Sequence, residues 1–208
     1  PSLPYRFTHM LIASGLTASF FVAGISAYRL IKGDTKKAPR LALKTGLVIA
    51  AVLAPLQALV GDFHGLNTLE HHPQNLAAME GVWDTDKGAP LLLFAIPDEQ
   101  QRQNHFAIGI PNLASLILTH ESEGEIKGLN DFEGNHPPVA PVFYGFRIMV
   151  GIGLLMIAVS WFSCWHLLIR KRELSNTNLK VLVAMMFSGW IATLAGWYVT
   201  EIGRQPWL

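Results

Sequence analysis

VFYGFRIMVGIGLLMIAVSWFSCWHLLI occupies Val142–Ile169 and holds one permanently charged side chain, Arg147. A helix needs about 20 apolar residues to cross a bilayer core. The run is long enough and apolar enough to do so. Three more runs meet the same test: Phe7–Ile31, Leu41–Gly61 and Lys180–Ile202. Pro55 is predicted to kink the second of these.

The composition agrees. Half of the residues are hydrophobic, 15% are charged and the mean hydropathy is +0.31. A soluble domain would carry more charge. Gly15, Gly24, Gly46, Gly151, Gly153, Gly189 and Gly196 recur along the runs, as expected where helices approach closely in lipid. The predicted fold is an all-α integral membrane helix bundle: four transmembrane helices and a largely helical outer loop. Residues 1–61 hold the first two helices, 62–141 the connection and 142–208 the last two. The chain starts at Pro1 and stops just after a dense motif, and it reads as part of a longer protein. Cys164 is the only cysteine, so neither a disulfide framework nor a two-cysteine metal site is available. CxxCH is absent, which argues against a covalently attached c-type haem. The lipid bilayer is the expected surroundings, and no nucleic-acid partner is expected.

Charge sets the orientation. The first loop carries Arg29, Lys32, Lys36, Lys37, Arg40 and Lys44 against Asp34 alone. The third carries Arg170, Lys171, Arg172 and Lys180 against Glu173. Basic loops stay on the cytoplasmic side, so the 62–141 connection faces outward. That topology gathers polar residues at the outer helix ends. They are His9 on the first helix, Arg147 and Met149 on the third, and Trp197, Glu201 and Arg204 on the fourth.

A histidine with a methionine is a low-spin haem ligand pair, and arginine suits propionate carboxylates in low dielectric. Gly145, Met149 and Gly153 are four apart on one face, predicting a flat groove beside Met149. Ala13 and Thr17 predict the same beside His9. Trp197, Glu201 and Arg204 share a face of the fourth helix. Taken singly, these residues have ordinary readings. These are an interfacial histidine, a core methionine, belt tryptophans at Trp197 and Trp207, and a structural Glu201–Arg204 pair. Their coincidence at one depth favours haem.

The outer connection opens with GDFHGLNTLEHHPQNLAAMEGVW, Gly61–Trp83. Pro73 is suited to the first turn of a short helix that places Glu80 on its later part. A second short helix is predicted from Pro97, and a third from Pro111 with Leu113, Leu116 and Ile117 apolar. His64, His71 and His72 lack HExxH spacing, so no metal is expected there. A carboxylate at the membrane surface, Glu80, is suited to take a proton from a lipid-soluble hydroxyl substrate. Gly124–His136 is polar and glycine-rich and is predicted to be mobile.

The chain resembles the large subunit of cytochrome bd-type quinol oxidases, especially the branch called cyanide-insensitive oxidase. The residues that carry the resemblance are FTHMLIASGLTASFFVAGISAY at Phe7–Tyr28, GDFHGLNTLEHHPQNLAAMEG at Gly61–Gly81, FRIMVGIG at Phe146–Gly153 and GWYVTEIGRQPW at Gly196–Trp207. It corresponds to the family's fifth to eighth transmembrane helices with a short form of the quinol loop. The resemblance implies that His9 and Met149 ligate a low-spin haem b with Arg147 beside it. It implies that Glu201 ligates a high-spin haem b, that Trp197 lies between haems and that Arg204 meets a propionate. Haem d or a third haem b would be held by residues outside this sequence. Glu80 matches the quinol-loop glutamate, and Asn75 stands where many members carry a lysine. The partners implied are ubiquinol or menaquinol, dioxygen and a second oxidase subunit. The location implied is the bacterial cytoplasmic membrane, with 62–141 periplasmic and a proton gradient formed without pumping. Two rival readings are a membrane transporter braced by Glu201–Arg204 and a di-haem electron carrier.

Overall fold

The computed structural model describes residues 3–132 and 134–206. Trp207 lies outside the described residues. Four helices are long and apolar enough to cross a membrane: Leu3–Ile31, Lys37–His71, Val139–Ile169 and Asn176–Ile202. We label the first two α1 and α2. The third is α5, Val139–Cys164, continued by a π turn at Trp165–Ile169. The fourth comprises α6, Asn176–Ala184, a 3₁₀ turn at Met185–Phe187, and α7, Ser188–Ile202. Pro55 lies inside α2. All four expected spans are present, and α2 runs past its expected end at Gly61 to His71.

The chain divides into two compact units: Leu3–Gly61 with Met149–Leu194, and Asp62–Ile148 with the chain from Ala195. In the first unit, Ile12, Leu16 and Phe20 pack with Ala50, Ala54, Met156 and Met185. Polar side chains on α1 return to their own backbone. The hydroxyls of Ser14, Thr17 and Ser19 each donate to the carbonyl four residues earlier, so none needs water. Glycines set the helix spacing. A Cβ at Gly24 would lie 2.6 Å from Met186 Cβ, and one at Gly189 would lie 2.6 Å from Thr17 Cα. Arg40 and Glu173 form a 2.8 Å ion pair, so the first and third loops lie at the same end of this unit.

The second unit holds α3, Pro73–Glu80, α4, Leu113–Thr119, and two small antiparallel sheets. In one sheet β1, Asp86–Lys87, pairs with β4, Glu125–Ile126. In the other β2, Leu91–Asp98, pairs with β3, Gln103–Ile110. Pro73 opens α3 and Gly81, at φ 69°, ends it; α4 follows Pro111 as expected. The expected helix at Pro97 is instead a hairpin. Pro97 lies in β2 of a two-stranded sheet, an edge strand, where proline is tolerated, and the Asp98 carboxylate accepts the Gln100 and Gln101 amides at 2.9 Å to start the turn. The Gly124–His136 stretch, expected to be mobile, contributes Ile126 and Leu129 to the core with Leu76, Ala77, Trp83 and Val142.

Candidate functional site

Glu80 is the last residue of α3 and its side chain is 3% exposed. Its Oε2 accepts Arg147 Nη2 at 2.8 Å, and the guanidinium is 14% exposed. Arg147 also donates to the Met79 carbonyl at 2.9 Å and to the Leu92 carbonyl. Its guanidinium carbon lies 4.4 Å from the Phe143 ring centroid, a cation–π contact. One side chain from α5 therefore fastens both the end of α3 and strand β2. Burial pushes the Glu80 carboxyl above its ordinary range, against the pull of the Arg147 charge and hydrogen bond. The position of Glu80 was legible from its helix. The Arg147 partnership, 67 residues away in sequence, left no spacing signal.

Asn75, on the first turn of α3, packs against Gly203. A Cβ at Gly203 would fall 2.7 Å from Asn75 Cγ and would overlap the Val199 carbonyl. Asn75 Oδ1 is buried, with no hydrogen-bond partner among the described residues. Gly203→Ala should cost about 1–3 kcal/mol through overpacking, read as a lower thermal midpoint. An unchanged midpoint would show that α3 yields freely there.

Glu201 and Arg204 pair across one turn at 3.6 Å, with side chains 40% and 39% exposed. Trp197, one turn before Glu201, is also exposed. In the other unit the His9 ring lies over Gly61, where an added Cβ would stand 3.3 Å from His9 Cε1. Met149 is half-buried. A Cβ at Gly151 or Gly153 would meet nothing within 4 Å, so the groove expected on that side of Met149 is open. On the other side it is filled. Gly145 is the close-approach point for α7, 2.9 Å from Val199 Cγ2 and 3.2 Å from the Ala195 carbonyl. Thr17 faces Gly189, so the opening expected beside His9 is taken up there by helix packing.

The family model for cytochrome bd terminal oxidase subunit I matches residues 1–208. The chain belongs to that family. Cytochrome bd ubiquinol oxidase subunit 1 of Bacillus subtilis is 30% identical, covering 100% of this chain and 47% of that protein. Cytochrome bd-II ubiquinol oxidase subunit 1 of Escherichia coli is 28% identical, covering 100% and 53%. The solved bd oxidase from Geobacillus thermodenitrificans superposes with a TM-score of 0.89 at 34% identity, covering 98% of this chain and 47% of that one. This chain thus spans about half the length of the curated relatives it matches.

Membership of the cytochrome bd subunit I family implies haem, and the residues present fit one. An open strip at Gly151 and Gly153 lies next to Met149. The Glu201 carboxylate and Arg204 guanidinium are only loosely paired and stay accessible. An imidazole, a thioether, a carboxylate and a guanidinium are suitable donors for iron and propionates.

Proposed function

We propose that this chain is the haem-holding and quinol-oxidising part of a terminal quinol oxidase subunit in the bacterial cytoplasmic membrane. The enzyme would oxidise ubiquinol or menaquinol at the outer face and reduce dioxygen to water with protons from the cytoplasm. A proton gradient then arises from where protons are released and taken up, without pumping. A second oxidase subunit completes the assembly. The observation that carries the reading is the buried Glu80–Arg147 pair in a chain that matches the family model end to end.

Each residue has a definite task in this reading. Glu80 accepts the proton of a quinol hydroxyl. Its raised proton affinity brings it closer to working pH, where a general base is most effective. Arg147 holds the carboxylate in place and fastens α3 and β2 around it. Asn75 lines the quinol position without adding a cation. His9 and Met149 would hold a low-spin haem b, with Arg147 nearby. Glu201 would hold a high-spin haem b, Arg204 a propionate, and Trp197 would lie between haems. Haem d or a third haem b would be held from outside this chain. Bound haem supplies one-electron transfer and the oxygen-reducing centre. Residues 62–141 lie on the periplasmic side; the basic inner loops support this, as does the Arg40–Glu173 pair that joins them.

Glu80→Gln keeps the size and one carbonyl oxygen but cannot take the proton. In the full-length oxidase, quinol turnover should fall by about 10²–10⁴ while haem content per protein stays the same. Normal turnover would remove Glu80 from the reaction.

A further inference from the structure

The β2–β3 hairpin has a polar tip and an apolar base. Residues 98–105 are DEQQRQNH, whereas 91–97 and 106–110 contain no polar side chain. Its inner side is accounted for: Leu92 and Ala95 are buried with Phe143. Its outer side is bare. Leu93 is 55% exposed, Phe94 48%, Phe106 79% and Ile108 62%.

This exposure depends on two irregularities in the ladder. Leu92 pairs with Gly109 and Phe94 with Ile108, so Leu93 is an extra residue on β2. Phe94 pairs with Ile108 and Ile96 with His105, so β3 carries its own extra residue at 106–107. Such bulges re-aim side chains. Phe106 sits at φ 52°, a left-handed conformation unfavourable for a bulky residue. The strained residue is thus a phenylalanine aimed outward.

Hydrogen bonds with α5 fix the position of the hairpin along that helix. Arg147 binds the Leu92 carbonyl, Tyr144 Oη donates to the Ala95 carbonyl at 3.0 Å, and the Glu99 carboxylate accepts the Val139 amide at 2.8 Å. The hairpin therefore runs along the first turns of α5, base at Arg147 and tip at Val139. From Ile148 to Ile169 there are 22 residues with no Asp, Glu, Lys or Arg. At 1.5 Å per residue they fill the hydrocarbon core of about 30 Å. With those residues filling the core, Arg147 would stand at its edge, residues 139–146 in the headgroup zone, the base of the hairpin at the boundary and its polar tip farthest out. The carbonyls of Leu92 and Ala95 are already bonded by α5, as backbone near lipid requires. Tyr144 and Ile148 of α5 are exposed as well, so the apolar surface continues from the helix onto the hairpin.

We propose that the base of this hairpin is a membrane anchor, with Leu93, Phe94, Phe106 and Ile108 in contact with lipid at the headgroup boundary and residues 98–105 in water. Aromatic and aliphatic side chains favour that zone. The inference rests on the membrane spans and not on the oxidase reading. To test it, the full-length protein would be placed in phosphatidylcholine vesicles whose acyl chains are brominated near the headgroup. Phe106→Trp and Gln100→Trp would each be compared with the parent. The emission added by Phe106→Trp should be blue-shifted and lost in brominated lipid, whereas that added by Gln100→Trp should be water-like and survive. Ile108→Trp repeats the test if Phe106→Trp does not fold. Water-like emission from the base would overturn the proposal. Blue-shifted emission that brominated lipid leaves intact would also overturn it, and would assign the face to a protein neighbour. No turnover is read, so a failed anchor and a failed oxidase assignment remain distinct.

Discussion

Arg147→Leu should destabilise the full-length protein by about 3–5 kcal/mol, the cost of leaving a buried charge without its partner. The Glu80 carboxyl would remain 3% exposed with nothing opposite it, and the Met79 and Leu92 carbonyls would lose a shared donor. The protein can relieve part of this by keeping Glu80 protonated. Burial already raises its proton affinity and Arg147 is what opposes the rise, so removing Arg147 moves the carboxyl further up. A folded-state pKa above the unfolded one contributes stability that is fully present below the unfolded value and lost as pH rises through the folded value. The variant should therefore be most stable in acid and weaken over a wider range towards neutral pH than the parent. The limb of quinol turnover that depends on deprotonated Glu80 should move to higher pH. Thermal midpoints and turnover, both measured against pH, check the two parts. Leucine at both 80 and 147 should recover most of the stability, because well-packed apolar replacements of buried pairs are often neutral. It should not recover turnover. Recovery of turnover would leave the pair a purely structural role.

Glu201→Ala carries the second large effect. Judged as an ion pair, Glu201–Arg204 is weak: 3.6 Å apart, with both side chains about two-fifths exposed. Such pairs contribute about 0–1 kcal/mol. Yet an ionised side chain within a membrane costs about 3 kcal/mol even on the gentler insertion scales, so Glu201, on the last turn of α7, calls for more than a loose pair with Arg204 in the turn beyond the helix. As an iron ligand Glu201 would meet that need, and Arg204 would be free to pair with a propionate. Glu201→Ala should then lose or loosen the high-spin haem, seen as a reduced haem-to-protein ratio with loss of oxygen consumption. Arg204→Leu should retain haem and lower its midpoint potential, because a nearby positive charge favours the reduced state. A double apolar variant at 201 and 204 that stays fully loaded and active would make the pair a brace.

The spans were legible because lipid imposes a length and a composition that few other environments demand. Val142–Ile169 meets both with Arg147 as its single permanent charge, and the structure extends the helix by three residues, to Val139–Ile169. Pro73 and Glu80 were legible because proline at a helix start is a local signal and counting from it places the carboxylate. Pro97 hides the β2–β3 hairpin, because proline also suits the first turn of a helix. The better signal was two apolar runs, 91–97 and 106–110, around a polar tip. Gly145 and Gly153 show the limit of periodicity. They are equivalent by spacing, yet one is filled by α7 and the other is open. Only the packed neighbours separate them. The Glu80–Arg147 contact is out of reach of spacing for the same reason: 67 residues separate the two in sequence.

The most direct measurement is the reduced-minus-oxidised optical spectrum of the purified full-length protein, recorded beside Met149→Leu. That substitution keeps apolar bulk and removes the thioether. The parent should show low-spin and high-spin haem bands with an oxygen-reactive centre. Met149→Leu should lose the low-spin signature and show a lower midpoint potential for that haem, since methionine ligation raises it. A parent without haem bands would contradict the haem-holding role, and a variant whose spectrum and midpoint match the parent would contradict ligation by Met149.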